Sequence, residues 1–453
     1  MGIRTLASLL LGWSTLQVYG ITLPRPDGIP GFPRLEAPSL RERADNDSQW
    51  LPMPTQDAFW LPADGWQSAA PGAVLKVRKH AYPTIKIANC SDTFQVQYRT
   101  TDTRGNASYG VTTVFIPESH RACSATNQDA CSHGIITYQI PYDSSCVDAG
   151  PSYLLQFNEP YGEMKSALGR GWFLNVPDYE GPQASYCAGV QAAHASLDAY
   201  RAVSQVLGEF GFRTDKKKHA LWGYSGGAFA TIFTAEIAAT YAPDVVIDGA
   251  VAGGTSPNLT TVDLLMNKQD TAGLVVASIL GITTQQPTER QLMYDQLIRE
   301  GKYNATWWMS ANYMAGATVL GAFAFVDVAS FFKDGDKFVW GPELQRLFDT
   351  DAAMGYHGSP KMPMFILKAV ADEMSPIKET DDLVDKYCKA GGNVLYHRNM
   401  VGGHNQELWS ARPRSIHYLE AILDGKKTLE IPTSGCLIQN VTVPVSADDI
   451  LSL

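Results

Sequence analysis

One short stretch of the sequence has the residue types and spacing needed for nucleophilic catalysis. Residues 221–228 read Leu-Trp-Gly-Tyr-Ser-Gly-Gly-Ala, which places Ser225 between two glycines, each two positions away. In a nucleophile elbow, a sharp strand-to-helix turn exposes the serine hydroxyl, and the glycines let the flanking backbone pack closely. The alternative is a glycine-rich turn without chemistry, but an apolar strand precedes this stretch and a small-residue helix (228–241) follows it. We therefore predict that Ser225 is a nucleophile.

A serine hydroxyl is a weak nucleophile near neutral pH, so it needs a histidine to accept its proton and a carboxylate to orient that histidine. In sheets with such an elbow, the acid follows one later strand and the histidine follows the next. His397 falls within a predicted strand and His417 within a predicted helix. Only His404 follows a strand on a loop, where Gly402 and Gly403 give the backbone freedom. We predict that His404 is the base.

The acid should follow the preceding strand, which covers residues 363–370. Asp372 is the first carboxylate after that strand, so it is our first choice. Glu373 remains a competitor, because both aspartate and glutamate serve in this role. Asp381 and Asp382 lie on a predicted helix face that is exposed to solvent.

The second donor to an oxyanion should come from the loop after an early strand. The sequence contains no His-Gly-Gly-Gly stretch, and residues 142–145 (Tyr-Asp-Ser-Ser) occupy that place. We assign the hole to the backbone N–H groups of Asp143 and Gly226, because Gly226 opens the helix after the elbow. The alternative for Asp143 is a turn that its own side chain caps.

Strands and helices alternate around these residues, which predicts an α/β fold with a mostly parallel sheet and helices on both faces. Ligand sites in such sheets lie beyond the carboxyl ends of the strands, where Ser225 falls. We place this core in residues 73–258 and 349–453. Besides the elbow strand, the predicted strands are 94–98, 110–117, 134–140, 172–177, 245–251, 363–370 and 394–397. The predicted helices are 191–207, 228–241, 262–280, 288–300, 305–332, 380–388 and 405–423.

The strand pattern stops in residues 259–348, and we interpret this helical segment as a cap inserted over the active site. The apolar run 311–332 also suggests a membrane span, but Asn312 and Asp327 make spanning costly. A buried cap helix is the better interpretation. The aromatic residues of the cap could line an acyl or sterol-like pocket or form ordinary core. They are Trp307, Trp308, Tyr313, Phe323, Phe325 and Phe331.

The first 20 residues have the pattern of a secretory signal peptide, with one arginine (Arg4), an apolar run (6–18) and Gly20 at the expected cleavage site. An uncleaved anchor is the alternative, but the run is short for a bilayer. Residues 21–72 are rich in proline, and we predict an arm or a partly disordered leader. Six N-glycosylation sequons agree with secretion. Their asparagines are Asn46, Asn89, Asn106, Asn258, Asn304 and Asn440.

Composition narrows the function classes further. The chain has 453 residues, and its 45% of hydrophobic residues are ample for a core. A net charge of −10 argues against a nucleic-acid partner. The seven cysteines can pair in an oxidising compartment, but an odd number leaves at least one unpaired within the chain. No cysteine has metal-ligand spacing, so we predict neither a metal site nor a cofactor. The cysteines are Cys90, Cys123, Cys131, Cys146, Cys187, Cys388 and Cys436.

Five sequence pieces occur in the order seen in one known family. They are residues 138–144, 178–182, 223–227, 371–376 and 402–404. Together they resemble the fungal secretory lipases, the lipase A type of α/β-hydrolase, over nearly the whole chain after residue 20. The resemblance implies a triad of Ser225, Asp372 and His404 and oxyanion donors at Asp143 and Gly226. These are the residues chosen above from chain order.

The resemblance also implies a helical cap and a disulfide between Cys388 and Cys436. The family usually joins the cysteine near the oxyanion loop, here Cys146, to a cysteine in the cap. This sequence departs from that pattern, because no cysteine lies between Cys187 and Cys388. We therefore expect Cys146 to pair elsewhere or to remain a thiol.

We expect a secreted serine carboxylic-ester hydrolase, a lipase or esterase, that works through an acyl-enzyme. The family it resembles also contains esterases that deacetylate trichothecene-type natural products. The substrate is therefore a small-molecule or lipid ester, with a lipid–water interface in the second case. The alternative hypotheses are a serine peptidase and a non-catalytic hydrolase-fold protein. Proteins of the second kind typically lack one triad member, whereas all three candidates are present here. Most glycines of the cap fall within predicted helices, so we expect a fixed, deep pocket and modest interfacial activation.

Overall fold

The computed structural model describes residues 51–79, 87–119, 134–157, 161–210, 212 and 217–446. The proposed signal peptide, the first part of the arm, Asn46, Cys123 and Cys131 lie outside these residues. Within the described arm, the chain forms single 3-10 turns. These are Pro54–Gln56, Ala58–Trp60 and Trp66–Ser68.

A ten-stranded mixed sheet forms the centre of the described residues, in the order β1-β2-β3-β5-β4-β6-β7-β8-β9-β10. The strands β1 to β3 are antiparallel to their neighbours, and β4 to β10 are parallel. The strands are β1 (Val74–Lys79), β2 (Cys90–Thr101), β3 (Ala107–Pro117), β4 (Gly134–Gln139), β5 (Phe173–Pro177), β6 (Lys218–Tyr224), β7 (Gly249–Gly253), β8 (Met364–Ala369), β9 (Val394–Asn399) and β10 (Cys436–Val441).

Helices connect the parallel strands, and several more fill the long interval between β7 and β8. They are α1 (Pro151–Leu154), α2 (Gly162–Gly169), α3 (Gly189–Glu209), α4 (Gly226–Tyr241), α5 (Leu259–Met266), α6 (Ala272–Thr283), α7 (Pro287–Gln296), α8 (Ala305–Ser310), α9 (Gly316–Phe323), α10 (Asp336–Val339), α11 (Pro342–Asp351), α12 (Ile377–Lys389) and α13 (His404–Asp424). Strand-helix alternation with a mostly parallel sheet agrees with the predicted α/β class.

Alternation along β6 divides its side chains between the two faces of the sheet. Leu221 packs in the cluster that contains Leu197 of α3 and much of α4 and the helical insertion. Trp222 faces the other way, into the cluster with Met164 of α2 and Leu419 of α13. Both faces are covered, which explains why the central strands read as continuous apolar runs.

The sheet order places the loops after β4 and β6 at the point where the connections diverge. From β4 the chain moves to β5 on one side, whereas β6 pairs with β4 on the other side and continues towards β7. A crevice opens at such a point in doubly wound sheets, beyond the carboxyl ends of the strands. The loop with Asp143 and the turn with Ser225 both lie there.

Several predicted element bounds were wrong. The strand predicted at 245–251 begins only at Gly249, and Val246 is 72% exposed. The apolar residues before Gly249 belong to the connection from α4, since the Asp248 N–H bonds to the carbonyl of His219. The helix predicted at 262–280 is two helices, α5 and α6, because the backbone turns at Lys268 with φ 67°.

The long apolar helix predicted at 305–332 does not form. The chain breaks it into α8, α9 and short 3-10 turns, with positive φ at Gly316 (40°) and Phe325 (62°). Among the described residues, no helix has the length and apolar character needed to span a bilayer. Of its aromatic side chains, Trp308 and Phe331 are fully buried core, whereas Phe325 is 63% exposed.

Strand β10 was not predicted. None of its residues is buried, but it pairs in parallel with β9 along its whole length. A disulfide joins Cys436, the first residue of β10, to Cys388 in the last turn of α12. This is the pairing that the family resemblance implied. Cys146 and Cys187 are buried and form no disulfide in the described structure.

We expect replacement of Cys388 and Cys436 by serine to lower the free energy of unfolding by up to about 4 kcal/mol, the loop-entropy value for a closed loop of this length. Urea unfolding of the double variant measures the change. Cys146→Ser is the control for replacing a cysteine by serine without losing a crosslink. Equal stability of wild type and double variant would contradict the prediction.

Candidate active site

Ser225 occupies the turn between β6 and α4 in a conformation that is uncommon for a residue other than glycine. Its φ and ψ are 54° and −122°, and such strain costs roughly 1–3 kcal/mol. The Ser225 N–H donates to the carbonyl of Gly253 at 2.9 Å, which ties the turn to β7. Gly227 follows, and a Cβ atom there would overlap with the carbonyl oxygen of Gln139. The close approach of α4 to β4 thus requires glycine at position 227.

The structure brings the three predicted triad side chains into one hydrogen-bonded chain. Nε2 of His404 lies 2.9 Å from Oγ of Ser225, and its Nδ1 lies 2.7 Å from Oδ2 of Asp372. His404 is the first residue of α13, one position earlier than the predicted helix start. The Tyr224 hydroxyl donates to the His404 carbonyl at 2.6 Å, which helps to hold the backbone that carries the ring. This geometry can pass a proton from the serine hydroxyl to the imidazole.

Asp372 is buried, yet four donors surround its carboxylate. Oδ2 accepts from His404 and from Nζ of Lys368, the latter at 2.8 Å. Oδ1 accepts from the backbone N–H groups of Met374 (2.9 Å) and Ser375 (3.0 Å). Burial opposes ionisation, but the positive charges of His404 and Lys368 and their hydrogen bonds hold the pKa of Asp372 below its usual range. The carboxylate is therefore available to orient the imidazole.

Lys368 is a site residue that the sequence reasoning missed. Its side chain is fully buried in β8, and Nζ also donates to the carbonyl of Thr255 at 2.8 Å. A buried ammonium requires such partners, because an unpaired charge in a protein interior is strongly unfavourable. The available signal was a lysine inside an otherwise apolar strand, four residues before Asp372.

The competing candidates have other contacts. Glu373 accepts the backbone N–H of His404 at 2.9 Å, so it supports the start of α13. Asp381 pairs with Arg398, and His397 with the side-chain oxygen of Gln439. The remaining candidates lie on exposed helix surfaces. They are Asp382 and His417.

The predicted oxyanion residues lie beside the serine. Asp143 is in the loop after β4 with φ 44°, and Gly226 is the first residue of α4. Among the described residues, neither backbone N–H has a hydrogen-bond acceptor, so both remain available to a ligand. The Ser144 hydroxyl donates to the carbonyl of Met314 at 3.4 Å, which brings the helical insertion against this loop. Within the described ranges, no cluster of His, Cys, Asp and Glu side chains is arranged to hold a metal ion.

Comparison with known proteins identifies the family. A model described as Secretory lipase matches residues 161–431. A trichothecene C-3 esterase of Fusarium sporotrichioides is 38% identical over 410 residues, which cover 89% of this chain and 91% of that protein. The chain belongs to the secretory lipase family. Its family resemblance, inferred from the five sequence pieces, is confirmed.

A second sequence relative and a solved structure extend the comparison. Lipase A of Arthroderma benhamiae is 31% identical over 391 residues, covering 82% of this chain and 80% of that protein. The structure of Candida antarctica lipase A in its closed state superposes with a TM-score of 0.73 at 26% identity, covering 89% of this chain and 95% of that one. The α/β-hydrolase fold is thereby confirmed. This secretory lipase family member is a carboxylic-ester hydrolase.

We expect Asp372→Asn to lower turnover by about 10⁴-fold with the fold intact, because the imidazole loses the acceptor that sets its tautomer. Hydrolysis of a soluble chromogenic ester measures the loss. Glu373→Gln is the matched control, since it keeps an oxygen for the His404 N–H and should reduce turnover by less than tenfold. If the Glu373 change is the damaging one, the acid is assigned one residue too early.

Proposed function

We propose that this protein is a secreted serine ester hydrolase with Ser225 as nucleophile, His404 as base and Asp372 as the acid that orients the base. The hydrogen-bonded chain from Ser225 Oγ through both ring nitrogens of His404 to Asp372 carries this proposal. A serine peptidase would use the same three groups, but the named relatives are lipases and esterases. A non-catalytic binding protein would not need this geometry.

The reaction follows from the positions of the atoms. Ser225 Oγ bonds to the ester carbonyl carbon, its proton moves to Nε2 of His404, and the carbonyl electron pair moves onto oxygen. The N–H groups of Asp143 and Gly226 stabilise that oxyanion. On collapse, the bond to the alcohol oxygen breaks and His404 returns the proton to it. Water then attacks the acyl-enzyme in the same manner, which releases the acid and restores the serine hydroxyl.

Secretion through a signal peptide in residues 1–20 is part of the proposal. The disulfide between Cys388 and Cys436 supports an oxidising compartment. Asn89, Asn106 and Asn258 are exposed, as N-glycosylation requires. Asn440 is also exposed, and Asn304 is partly buried.

A compact acetylated natural product of the trichothecene type is the second candidate substrate, beside triacylglycerol. The packing of the cap favours it. The α-carbon of Gly273 lies against the backbone at Val319, and that of Gly281 against the backbone of Tyr186, in the loop before α3. Backbones in such close contact suit a fixed cover better than a mobile lid.

Polar contacts hold the same cover to the core. The hydroxyls of Ser185 and Thr284 lie 2.6 Å apart, and Nε2 of Gln285 donates to the Ser185 hydroxyl at 2.9 Å. Just after the cap, in the last turn of α11, Oδ1 of Asp351 accepts the N–H of Val190 at 2.8 Å. Opening the cap would break these buried and partly buried hydrogen bonds, which costs free energy.

We expect Ser225→Ala to lower ester hydrolysis by roughly 10⁴- to 10⁶-fold, because the nucleophile is lost while the oxyanion donors remain. His404→Ala should cause a similar loss, and the double variant should lose little more. Turnover of a soluble ester and the thermal unfolding midpoint are measured together, so that a folding defect is recognised. Activity of Ser225→Ala within tenfold of wild type would reject the proposed function.

We expect turnover to saturate on soluble short-chain esters without a jump at their solubility limit, because a fixed cap needs no lipid surface to open. Rates are measured on a short-chain triglyceride across that limit and on an acetylated polycyclic alcohol. A several-fold rise on droplets would favour triacylglycerol as the substrate and a mobile cap.

A further inference from the structure

A short part of the proline-rich arm packs against the loop that follows β4. We call residues 51–60 the arm segment and residues 141–150 the Asp143 loop. Trp60 ends a 3-10 turn of the arm segment and is only 6% exposed. It lines a small cavity together with Tyr142 and Cys146 of the Asp143 loop. The buried tryptophan of the arm segment therefore forms part of the packing around that loop.

Hydrogen bonds join the arm segment to the same region of the fold. The N–H and the hydroxyl of Thr55 donate to the two carboxylate oxygens of Asp148, at 2.9 and 2.8 Å. Asp148 lies in the 3-10 turn Val147–Ala149 of the Asp143 loop. Just after α1, Oε1 of Gln156 accepts the N–H of Leu51 at 2.8 Å. Because backbone and side-chain donors both take part, these contacts fix one register of the arm segment against the loop.

The edge of the sheet in turn fixes the arm segment. Nε2 of Gln97 in β2 donates to the carbonyl of Phe59 at 2.9 Å. Arg78 of β1 pairs with Asp57 at 2.6 Å, and its guanidinium carbon lies 4.1 Å from the centre of the Phe59 ring. Asp57 and Gln97 are both buried. The arm segment is thus a fixed connection between the antiparallel strands and the Asp143 loop.

The Asp143 loop needs support because its backbone is strained. Asp143 has φ 44°, in the left-handed region, and a residue other than glycine keeps this conformation only where its surroundings fix it. The cap holds the loop through the Ser144 hydroxyl, which donates to the carbonyl of Met314. The carboxyl group of Asp178 lies against Gly150 and leaves no room there for a side chain. The arm segment adds a third support, at the turn that follows Asp143.

We propose that Trp60 and Thr55 are positioning residues for ester hydrolysis, and that the arm segment is therefore a permanent part of the active enzyme and not a removable leader. The inference rests on the proposed function, in which the N–H of Asp143 stabilises the oxyanion. The two residues act through the Asp143 loop and not on the substrate. Such a donor contributes only when it points at the oxyanion, and a displacement of about 1 Å can lower turnover by about 10²-fold.

Trp60→Ala tests the proposal with a soluble chromogenic butyrate ester. We expect kcat to fall by about 10²-fold while KM changes by less than about threefold, because an oxyanion donor acts on the transition state and not on the bound substrate. Trp60→Phe should recover most of the loss, since a second aromatic ring refills the site. Trp66→Ala is the matched control in the same arm, because Trp66 packs on Tyr109 of β3, with ring centres 5.3 Å apart. It should leave kcat unchanged.

Thr55→Val is a second variant with little risk to folding, because Thr55 is exposed. It removes the hydroxyl donor to Asp148 and should lower kcat by about threefold, whereas Thr55→Ser should restore it. The thermal unfolding midpoint of each variant shows whether it folds. The proposal is overturned if folded Trp60→Ala keeps the kcat of wild type, or if Trp66→Ala loses as much. Should Trp60→Ala fail to fold, a wild-type kcat in Thr55→Val overturns it.

The amino terminus of the active enzyme gives an independent test. We expect mass spectrometry of the protein purified from its secreting host to place that terminus before Leu51. A fully active enzyme that begins after Trp60 would contradict the proposal. Ser225→Ala, measured beside the arm variants, separates the two levels of inference. Its inactivity together with a wild-type kcat in folded Trp60→Ala rejects only the role of the arm segment, whereas activity of Ser225→Ala rejects the proposed function.

Discussion

The site depends on keeping the buried carboxylate of Asp372 ionised inside the protein. Asp372 orients His404 only as an anion, but burial alone would favour its neutral form. The positive charges of His404 and Lys368, with their hydrogen bonds, reverse that balance and hold the pKa of Asp372 below its usual range. The ammonium comes from the middle of β8, four residues before the acid, so the sheet supplies the compensating charge. Lys368 in the core therefore helps to hold the imidazole beside Ser225, because it supports the carboxylate of Asp372 that binds the ring.

The same burial has a different result where no such donors exist. Asp143 lies in the loop after β4, on the other side of Ser225, and its Oδ1 finds no partner among the described residues. One crevice at the divergence of the sheet therefore contains two carboxyl groups whose pKa values are shifted in opposite directions: burial raises that of Asp143, whereas the charges of His404 and Lys368 outweigh burial and lower that of Asp372. The two carboxyl groups are buried to a similar extent, since Asp372 is 8% exposed and Asp143 4%. The difference between their pKa values therefore comes from the hydrogen-bond donors and charges around each group.

Elements with a clear local sequence pattern were predicted, whereas features that depend on contacts between remote residues were missed. Ser225, Asp372 and His404 could be placed because each follows the end of a recognisable strand, in a known order. Strand β10 was not predicted because none of its residues is buried, and its position depends on pairing with β9 and on a disulfide. The single helix predicted at 305–332 was wrong for a different reason. Its apolar residues pack in the core as several short segments, and hydropathy does not reveal the turns between them. The role of Lys368 depends on a contact that is remote in the chain, because its Nζ donates to the carbonyl of Thr255.

The attachment of the cap connects these observations. The chain leaves β7 through Thr255, whose carbonyl accepts from Lys368, the ion-pair partner of Asp372. Its return passes Met354, whose N–H donates to the carbonyl of Pro257 at 2.9 Å, so the two ends of the cap are joined where they meet the sheet. A hinge in this region would move the acceptor that Lys368 requires and would weaken the support of Asp372.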